Sequence, residues 1–404
     1  MAALSLKKNF IYLFIFSVLL FVYLQSDKKF NKKIFYTPIN KNHNKESLNL
    51  NLYEDYIIIG INITLSGIKS ENDEGVIIGA TLAEEKINSE GGVLGKKIKV
   101  LFYDNKGTPV GAKIAAEKAI KEGAVAVIGA NRSSQTIAIA PVMQKARIPL
   151  VTPISTVDNI THIGDFIFRM CYTDSYQGKK LAEYAIENLD ISKTVILKLL
   201  DEEYSLVLAD NFYSFFNSKG KNIAGEFGYK TSDMDYTEIL NIAKKINPTL
   251  IFIPVYSKDG GLLIRQAKKM GINSLFLGGD GLGARVYDFA GDTADGLLVS
   301  DHWHASMKYR LTNELIEKHK EKYNTEIIKS TGTPLSFDSV LLIANAIKRA
   351  GSTNGEILRK AISETENFEG SSGVYSFDIN GDAVNKPLAI MELKNGDKVL
   401  KALY

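Results

Sequence analysis

Two hydroxyl-rich stretches of this 404-residue chain have the residue types that bind an anion. Residues 131–134 (Asn-Arg-Ser-Ser) follow the apolar run 124–129, and residues 153–156 (Pro-Ile-Ser-Thr) follow the apolar run 148–152. A hydroxyl at a junction between strand and helix lies beside unpaired backbone N–H groups at the positive end of the helix dipole. Ser133 and Ser134, and likewise Ser155 and Thr156, could therefore bind a carboxylate. The same side chains could instead only cap the following helix or form a turn.

Other candidate side chains follow the strands predicted further along the chain. Asp280 lies between two glycines after the predicted strand 274–278, where its carboxylate could meet an ammonium group or merely stabilise a turn. Tyr204 follows the predicted strand 194–199, and Tyr256 follows the predicted strand 249–254. In doubly wound sheets ligands bind beyond the carboxyl ends of the strands, so the Tyr204 ring could form a wall of a cleft.

Catalytic and metal-binding motifs are missing from the sequence. It contains neither a G-x-S-x-G elbow nor a G-x-x-x-x-G-K-[ST] phosphate loop, and the S-x-x-K match at 66–69 has no companion motif. His302 and His304 have no evident third metal ligand, and an aromatic cluster is the favoured interpretation. The single cysteine, Cys171, excludes an intrachain disulfide, a Cys-rich zinc site and an iron–sulfur cluster. We therefore predict a binding cleft without a reaction centre, metal or cofactor.

The composition is that of a globular protein, with 45% hydrophobic and 24% charged residues. Lys and Arg total 49 against 46 for Asp and Glu, which leaves a formal charge of +3. This balance excludes a nucleic-acid binder that relies on a basic field over the whole protein.

The first 54 residues differ from the rest of the chain. Residues 10–24 form an apolar run behind Lys7 and Lys8, which predicts a signal peptide or an uncleaved signal anchor within residues 1–26. The run is short for a transmembrane helix, and neither a small-residue cleavage site nor a cysteine for lipid attachment follows it. Residues 27–54 are rich in Asn and Lys and are predicted to form a flexible tether. We expect an extracytoplasmic protein, in the periplasm or at the cell surface, whose N-terminal segment contacts or crosses the membrane.

From residue 56 onward, β-branched runs alternate with stretches of helical periodicity. Such alternation predicts parallel sheets with helices on both faces, and two successive series of these units predict an α/β protein of two doubly wound, Rossmann-like lobes. The Asn-Gly pairs at 380–381 and 395–396 each predict a hairpin with a type I′ turn.

From about Tyr56 to its end, the chain resembles the type I periplasmic binding proteins, in particular the leucine/isoleucine/valine-binding branch that feeds ABC importers. The segments that carry the resemblance are 65–67 (LSG), 79–80, 87–88, 91–95 (GGVLG), 127–129, 133–134, 149–153 (PLVTP), 169, 174–178 (DSYQG), 265–267, 271, 278–281 (GGDG), 295–299 (DGLLV) and 337–338.

The resemblance implies two lobes joined by three hinge crossovers, with residues 55–172 and 303–386 in one and residues 173–302 and 387–404 in the other. It places a ligand α-carboxylate on Ser133 and Thr156, and an ammonium group near the Ile154 carbonyl and Asp280. Tyr204 and Tyr256 would close the cleft from the second lobe. The ligand implied is an amino acid or a related small amide, and the partner is an ABC permease.

Three positions depart from the family pattern and put leucine, isoleucine and valine in doubt. Asp280 stands where many relatives have Glu, the polar Asn72 stands near a position where an aromatic residue often covers the ligand, and Ser155 follows the bulky Ile154. The alternatives are a ligand-binding sensor lobe that signals to a membrane partner, and an enzyme on a similar two-lobe scaffold.

Overall fold

Short β-branched runs form the strands of two sheets, and longer helical stretches connect them. The computed structural model describes residues 55–67, 69–325 and 330–404. The segments 1–26 and 27–54, predicted to be the signal sequence and the tether, lie outside these residues. The α/β class with two lobes, predicted from the sequence, is confirmed.

The sheet of the first lobe is entirely parallel, with the strand order β2-β1-β3-β4-β5. Its strands are β1 (Tyr56–Ile63), β2 (Lys97–Asp104), β3 (Ala126–Gly129), β4 (Leu150–Thr152) and β5 (Ile167–Arg169). The carboxyl ends of β3 and β4 therefore lie next to each other at one edge of this sheet.

The sheet of the second lobe is mixed, with the order β14-β13-β10-β9-β8-β6-β7. Its strands are β6 (Thr194–Leu199), β7 (Ile223–Tyr229), β8 (Leu250–Ile253), β9 (Leu275–Gly278), β10 (Leu298–Asp301), β13 (Ala389–Lys394) and β14 (Asp397–Leu403). Only the pairings of β13 with β10 and with β14 are antiparallel, so β13 alone runs opposite to the other strands of this sheet. A separate two-stranded ribbon pairs β11 (Phe368–Glu369) with β12 (Val374–Tyr375).

Helices cover both faces of each sheet, so the apolar strands are buried from both sides. The described helices are α1 (Glu71–Ser89), α2 (Pro109–Lys121), α3 (Ser133–Ala146), α4 (Asp174–Asn188), α5 (Glu203–Ser218), α6 (Thr237–Ile246), α7 (Ser257–Lys269), α8 (Tyr287–Ala290), α9 (Thr312–Tyr323), α10 (Gly332–Ala350) and α11 (Gly355–Ser363). None of them is both long and apolar enough to cross a membrane.

Helix α10 is almost entirely buried and packs closely along α1 in the first lobe. The backbones approach at Gly79, where a Cβ atom would lie 2.0 Å from the carbonyl oxygen of Thr333. Ser336 Oγ donates to the Val76 carbonyl at 2.9 Å. The packing of α10 against α1 holds the N-terminal end of α1 in place. The loop between β1 and α1, which lies on one side of the cleft, is thereby positioned.

The chain crosses between the lobes three times: after β5, after β10 and before β13. The predicted residue boundaries of the lobes stay a prediction. Of the two predicted hairpins, Asn395-Gly396 joins β13 to β14 with positive φ at both residues, as a type I′ turn requires. At Asn380-Gly381 only the glycine has positive φ, and a single bridge between Phe377 and Ala383 replaces a hairpin.

Candidate functional site

The carboxyl ends of β3 and β4 bring two of the predicted hydroxyl-bearing residues together. Ser133 opens α3 and Thr156 follows β4, and both residues are buried. Ser133 Oγ accepts a hydrogen bond from the Val157 N–H at 3.4 Å, which ties the two loops to each other. The N-cap residue of α3, Arg132, makes no side-chain capping bond. This edge thus combines two hydroxyls with the positive end of a 14-residue helix, a suitable environment for a carboxylate.

Ser155 and Ile154 belong to the same loop but differ in role. The Ser155 hydroxyl lies 2.6 Å from Thr136 Oγ1 and donates to the Ala130 carbonyl at 3.0 Å. These bonds fix the loop after β4 against the loop after β3. Ile154 is 5% exposed and belongs to the apolar core of the first lobe. Ser155 is therefore engaged in positioning the hydroxyl edge.

Asp280 follows β9 in the second lobe and its side chain is 5% exposed. Its Oδ1 accepts a hydrogen bond from the Tyr204 hydroxyl at 3.0 Å, and its Oδ2 lies 2.8 Å from His302 Nε2. Its backbone N–H donates to Gln177 Oε1 at 2.9 Å. A carboxylate oxygen has two acceptor directions, so Asp280 can accept further bonds from a ligand cation.

His302, Gln177 and Asp174 contribute to this region, and the sequence did not single them out as site residues. The His302 ring stacks on Tyr172 with a centroid separation of 3.9 Å, and its Nδ1 is buried without a hydrogen-bond partner among the described residues. A signal was available, since His302 directly follows β10, which pairs in parallel with β9. Asp280 and His302 therefore follow adjacent strands at one edge of the sheet.

Asp174 opens α4 at the first crossing between the lobes. Its backbone N–H donates to the Thr156 carbonyl at 2.8 Å, and its Oδ1 accepts from Gln177 Nε2 at 3.1 Å. Its Oδ2 is buried without a partner among the described residues. Burial, reinforced by the negative charge of Asp280, raises the pKa of Asp174 well above its usual value. Two carboxyl groups in one buried region favour a cationic ligand group.

Tyr204 and Tyr256 of the second lobe stack on each other. The ring centroids of Tyr204 and Tyr256 are 5.3 Å apart, and the Arg132 guanidinium lies 4.3 Å from the centre of the Tyr256 ring. Arg132 Nη1 also lies 3.3 Å from Glu202 Oε1, and Ser134 Oγ lies 3.4 Å from Glu202 Oε2. Ser134 therefore joins a contact between the lobes. These contacts join the two lobes directly, so the cleft between them is closed.

Asn72 lies at the start of α1 and accepts a hydrogen bond from Ser330 Oγ at 2.9 Å. The adjacent Asp73 accepts from Asn131 Nδ2 at 2.9 Å, which connects α1 to the loop after β3. Burial raises the pKa of Asp73, while hydrogen bonds from Ser70 and Asn131 oppose the rise. The N-terminal end of α1 thus presents polar side chains that are hydrogen-bonded to neighbouring segments.

Cys171 is buried and its Sγ donates to the Ser155 carbonyl at 3.3 Å. Burial raises the pKa of this thiol, so it is a core group and not a thiolate nucleophile. Within the part of the chain that the structure describes, no three His, Cys, Asp or Glu side chains are grouped so that they could hold a metal ion.

Comparison with protein families and known proteins gives matches over most of this chain. The protein-family model described as "Periplasmic binding protein" matches residues 57–398. The Leu/Ile/Val-binding protein homolog 3 of Brucella melitensis is 28% identical over 344 residues, covering 84% of this chain and 92% of that protein. A leucine-, isoleucine-, valine-, threonine- and alanine-binding protein of Pseudomonas aeruginosa is 27% identical, covering 78% of this chain and 83% of its own.

Solved structures are similar over the same region. The leucine binding protein LivK of Thermotoga maritima superposes with a TM-score of 0.81 at 30% identity, covering 86% of this chain and 98% of its own. The branched-chain amino acid transporter substrate binding protein LivJ of Streptococcus pneumoniae, solved with isoleucine, gives a TM-score of 0.79 at 29% identity, covering 86% of this chain and 98% of its own.

Proposed function

Because this chain belongs to the periplasmic binding protein family, we propose that it captures an amino acid or a related small amide in its interlobe cleft and delivers it to an ABC importer. The relatives are binding proteins and not enzymes, and family membership implies an extracytoplasmic location. The single observation that carries the proposal is the pairing of a hydroxyl edge with a buried carboxylate across one closed cleft.

This pairing matches the charges of a zwitterion. In the proposal, the hydroxyls of Ser133 and Thr156 and the Thr156 N–H bind the α-carboxylate. The Ile154 carbonyl and the Asp280 carboxylate accept hydrogen bonds from the ammonium group. Hydrogen bonds to charged groups are about twice as strong as neutral ones, and exclusion of water strengthens them further.

The remaining predicted residues take supporting roles in this proposal. Tyr204 and Tyr256 cover the ligand, and Asn72 lies beside its side chain. Ser134 stabilises the closed form through Glu202, and Ser155 holds the loop that carries Thr156. Because contacts from both lobes exist only in the closed form, their binding energy drives closure of the hinge.

A thermal-shift screen of the full chain tests the ligand class. The probes are the common amino acids, short amides, urea and small organic acids. A ligand of this site raises the midpoint of thermal unfolding. The rise grows with the logarithm of the ratio of the ligand concentration to its dissociation constant. If neither an amino acid nor an amide raises the midpoint, the proposed ligand class is wrong.

Matched variants then place the site. Thr156→Ala combined with Asp280→Asn should abolish the shift, whereas Asp210→Asn, whose side chain is 71% exposed on α5, should leave it unchanged. Full affinity in the double variant would mean that the ligand binds elsewhere.

Delivery is tested in cells with the ligand that the screen identifies. Deletion of the gene should lower uptake of the radiolabelled ligand, and the intact gene should restore it. Unchanged uptake would refute the transport role while leaving ligand binding in place. In the proposal, residues 1–26 export the protein, residues 10–24 anchor it, and residues 27–54 tether it at the membrane.

A further inference from the structure

A cavity with cationic side chains lies between residues of the two lobes. It has a volume of about 470 Å³ and is lined by Gly67, Lys69, Lys258, Arg285 and Phe289. This volume lies in the range of about 300–1,000 Å³ that small-molecule sites occupy. Three of its lining residues are basic and none is acidic, so the cavity suits an anion.

The basic residues of the cavity differ in their partners. Arg285 pairs with Asp288, at 3.1 Å between Nε and Oδ2, and its Nη1 donates to the Lys69 carbonyl. In the described parts of the chain, the ammonium groups of Lys69 and Lys258 form no ion pair. Asp259, beside Lys258 in sequence, is 6% exposed and does not line the cavity.

The basic residues come from both sides of the cleft. Lys69 lies between β1 and α1 in the first lobe, whereas Lys258 on α7 and Arg285 before α8 belong to the second lobe. Closure brings these like charges toward one another, which opposes the closed form. An anion between them would replace this electrostatic repulsion with attraction. It would bind only when the lobes are closed.

Helix α7 links the lining of the cavity to the loop that carries Asp280. Lys258 lies two residues after Tyr256, which covers the proposed amino-acid site, at the start of α7. Ser257 Oγ accepts from the Gly283 N–H at 3.0 Å and donates to the Gly281 carbonyl at 3.5 Å. The first turn of α7 is therefore bonded to the loop that carries Asp280.

We infer that this cavity, formed by Gly67, Lys69, Lys258, Arg285 and Phe289, binds an anionic group that stabilises the closed protein. The group is a second carboxylate of the captured ligand or a separate small anion. If the group is a second carboxylate of the ligand, the ligand is an acidic amino acid, and this case rests on the proposed function. If the group is a separate small anion, no amino-acid ligand is required.

The experiment compares glutamate with its neutral isostere glutamine, and adds succinate and inorganic phosphate as free anions. Binding to the full chain is measured by calorimetry and thermal shift. The test variant is Lys69→Gln/Lys258→Gln. The control is Lys113→Gln/Lys230→Gln, which removes one exposed lysine from each lobe away from the cavity.

If the ligand carries the anionic group, glutamate should bind at least tenfold more tightly than glutamine, and the test variant should remove this difference. If the group is a separate anion, succinate or phosphate should raise the midpoint of thermal unfolding, and the test variant should weaken this binding at least tenfold. The control variant should behave as the unmodified chain in both cases.

The inference is overturned if glutamate and glutamine bind alike and neither free anion binds, or if anion binding survives in the test variant. Failure of the proposed function looks different. In that case no amino acid or amide binds, while the response to succinate or phosphate still decides whether the cavity is an anion site.

Discussion

The imidazole of His302 and the carboxylate of Asp280 form a buried pair, with 2.8 Å between Nε2 and Oδ2 and side-chain exposures of 0% and 5%. The hydroxyl of Tyr204 holds the other carboxylate oxygen at 3.0 Å. The carboxyl group is thus fixed from two directions by side chains of its own lobe. Preorganisation of this kind lowers the entropy that binding must overcome.

Replacement of the acid in this pair should weaken ligand binding strongly. In Asp280→Asn the negative charge that faces the ligand ammonium is lost. A hydrogen bond to a charged group contributes about 1.5–3 kcal/mol, so we expect the dissociation constant to rise by roughly 10- to 150-fold. Calorimetry with the ligand from the screen measures this, with Asp210→Asn as the control. A change below threefold would remove Asp280 from the site.

The buried carboxyl group of Asp174 should make the stability of the protein depend on pH. Its pKa in the folded protein is raised above the unfolded value near 3.8, so the folded state binds more protons between these two values. The free energy of unfolding therefore falls as the pH rises through this window. Asp174→Asn cannot ionise and should be more stable than the unmodified chain at pH 7, with the advantage lost near pH 3.5.

Thermal unfolding at both pH values checks this prediction. A gain of about 1 kcal/mol corresponds to roughly 2–4 °C in a domain of 150–250 residues. Asp190→Asn, at an exposed position, is the control. A lower midpoint for Asp174→Asn at pH 7 would show that the ionised carboxylate stabilises the fold.

The contact of Arg132 with Glu202 and Tyr256 should slow ligand release. An ion pair and a cation–π contact each contribute up to about 1 kcal/mol at partly exposed sites. Arg132→Met should therefore weaken binding by roughly 5- to 30-fold, mainly through faster dissociation. Stopped-flow kinetics measures the rate. Arg147→Met is the matched control, because the ion pair of Arg147 with Glu356 lies within the first lobe. Equal dissociation rates in the two variants would contradict the prediction.

Asp338 and Lys386 form a buried network that is separate from the proposed ligand contacts. Asp338 accepts hydrogen bonds from Ser371, Ser372 and Tyr375, and Lys386 Nζ donates to the Ser372 carbonyl at 2.8 Å and to the Tyr375 hydroxyl at 3.0 Å. Burial lowers the pKa of Lys386 to about 8, although the charge of Asp338 opposes this.

Removal of one charge from this network should destabilise the fold more than removal of both. Asp338→Asn leaves Lys386 without its counter-charge and should lower the free energy of unfolding by about 3–5 kcal/mol. Asp338→Asn/Lys386→Met should recover part of that loss, since no buried charge remains. Urea denaturation measures all three proteins, and a double variant less stable than Asp338→Asn would contradict the coupling.

Local pattern was sufficient to predict much of the fold and part of the site. Alternating strands and helices follow from β-branched runs and helical periodicity, which act over neighbouring residues. Ser133, Thr156 and Asp280 could be singled out because each follows a strand, and strand ends are readable from the chain itself. The Asn380-Gly381 turn shows the limit, because only its glycine has positive φ and a single bridge between Phe377 and Ala383 stands where a hairpin was predicted.

The amino-acid sequence by itself determined the two-lobed α/β class, the hydroxyls and acid at the strand ends, and the absence of a catalytic motif. Tertiary structure alone decided which of these groups meet. His302 reaches Asp280 because β9 and β10 are neighbours in the sheet, and Arg132 reaches Glu202 because the two lobes are closed. Both distances depend on sheet order and lobe closure, which arise from packing between residues far apart in the chain.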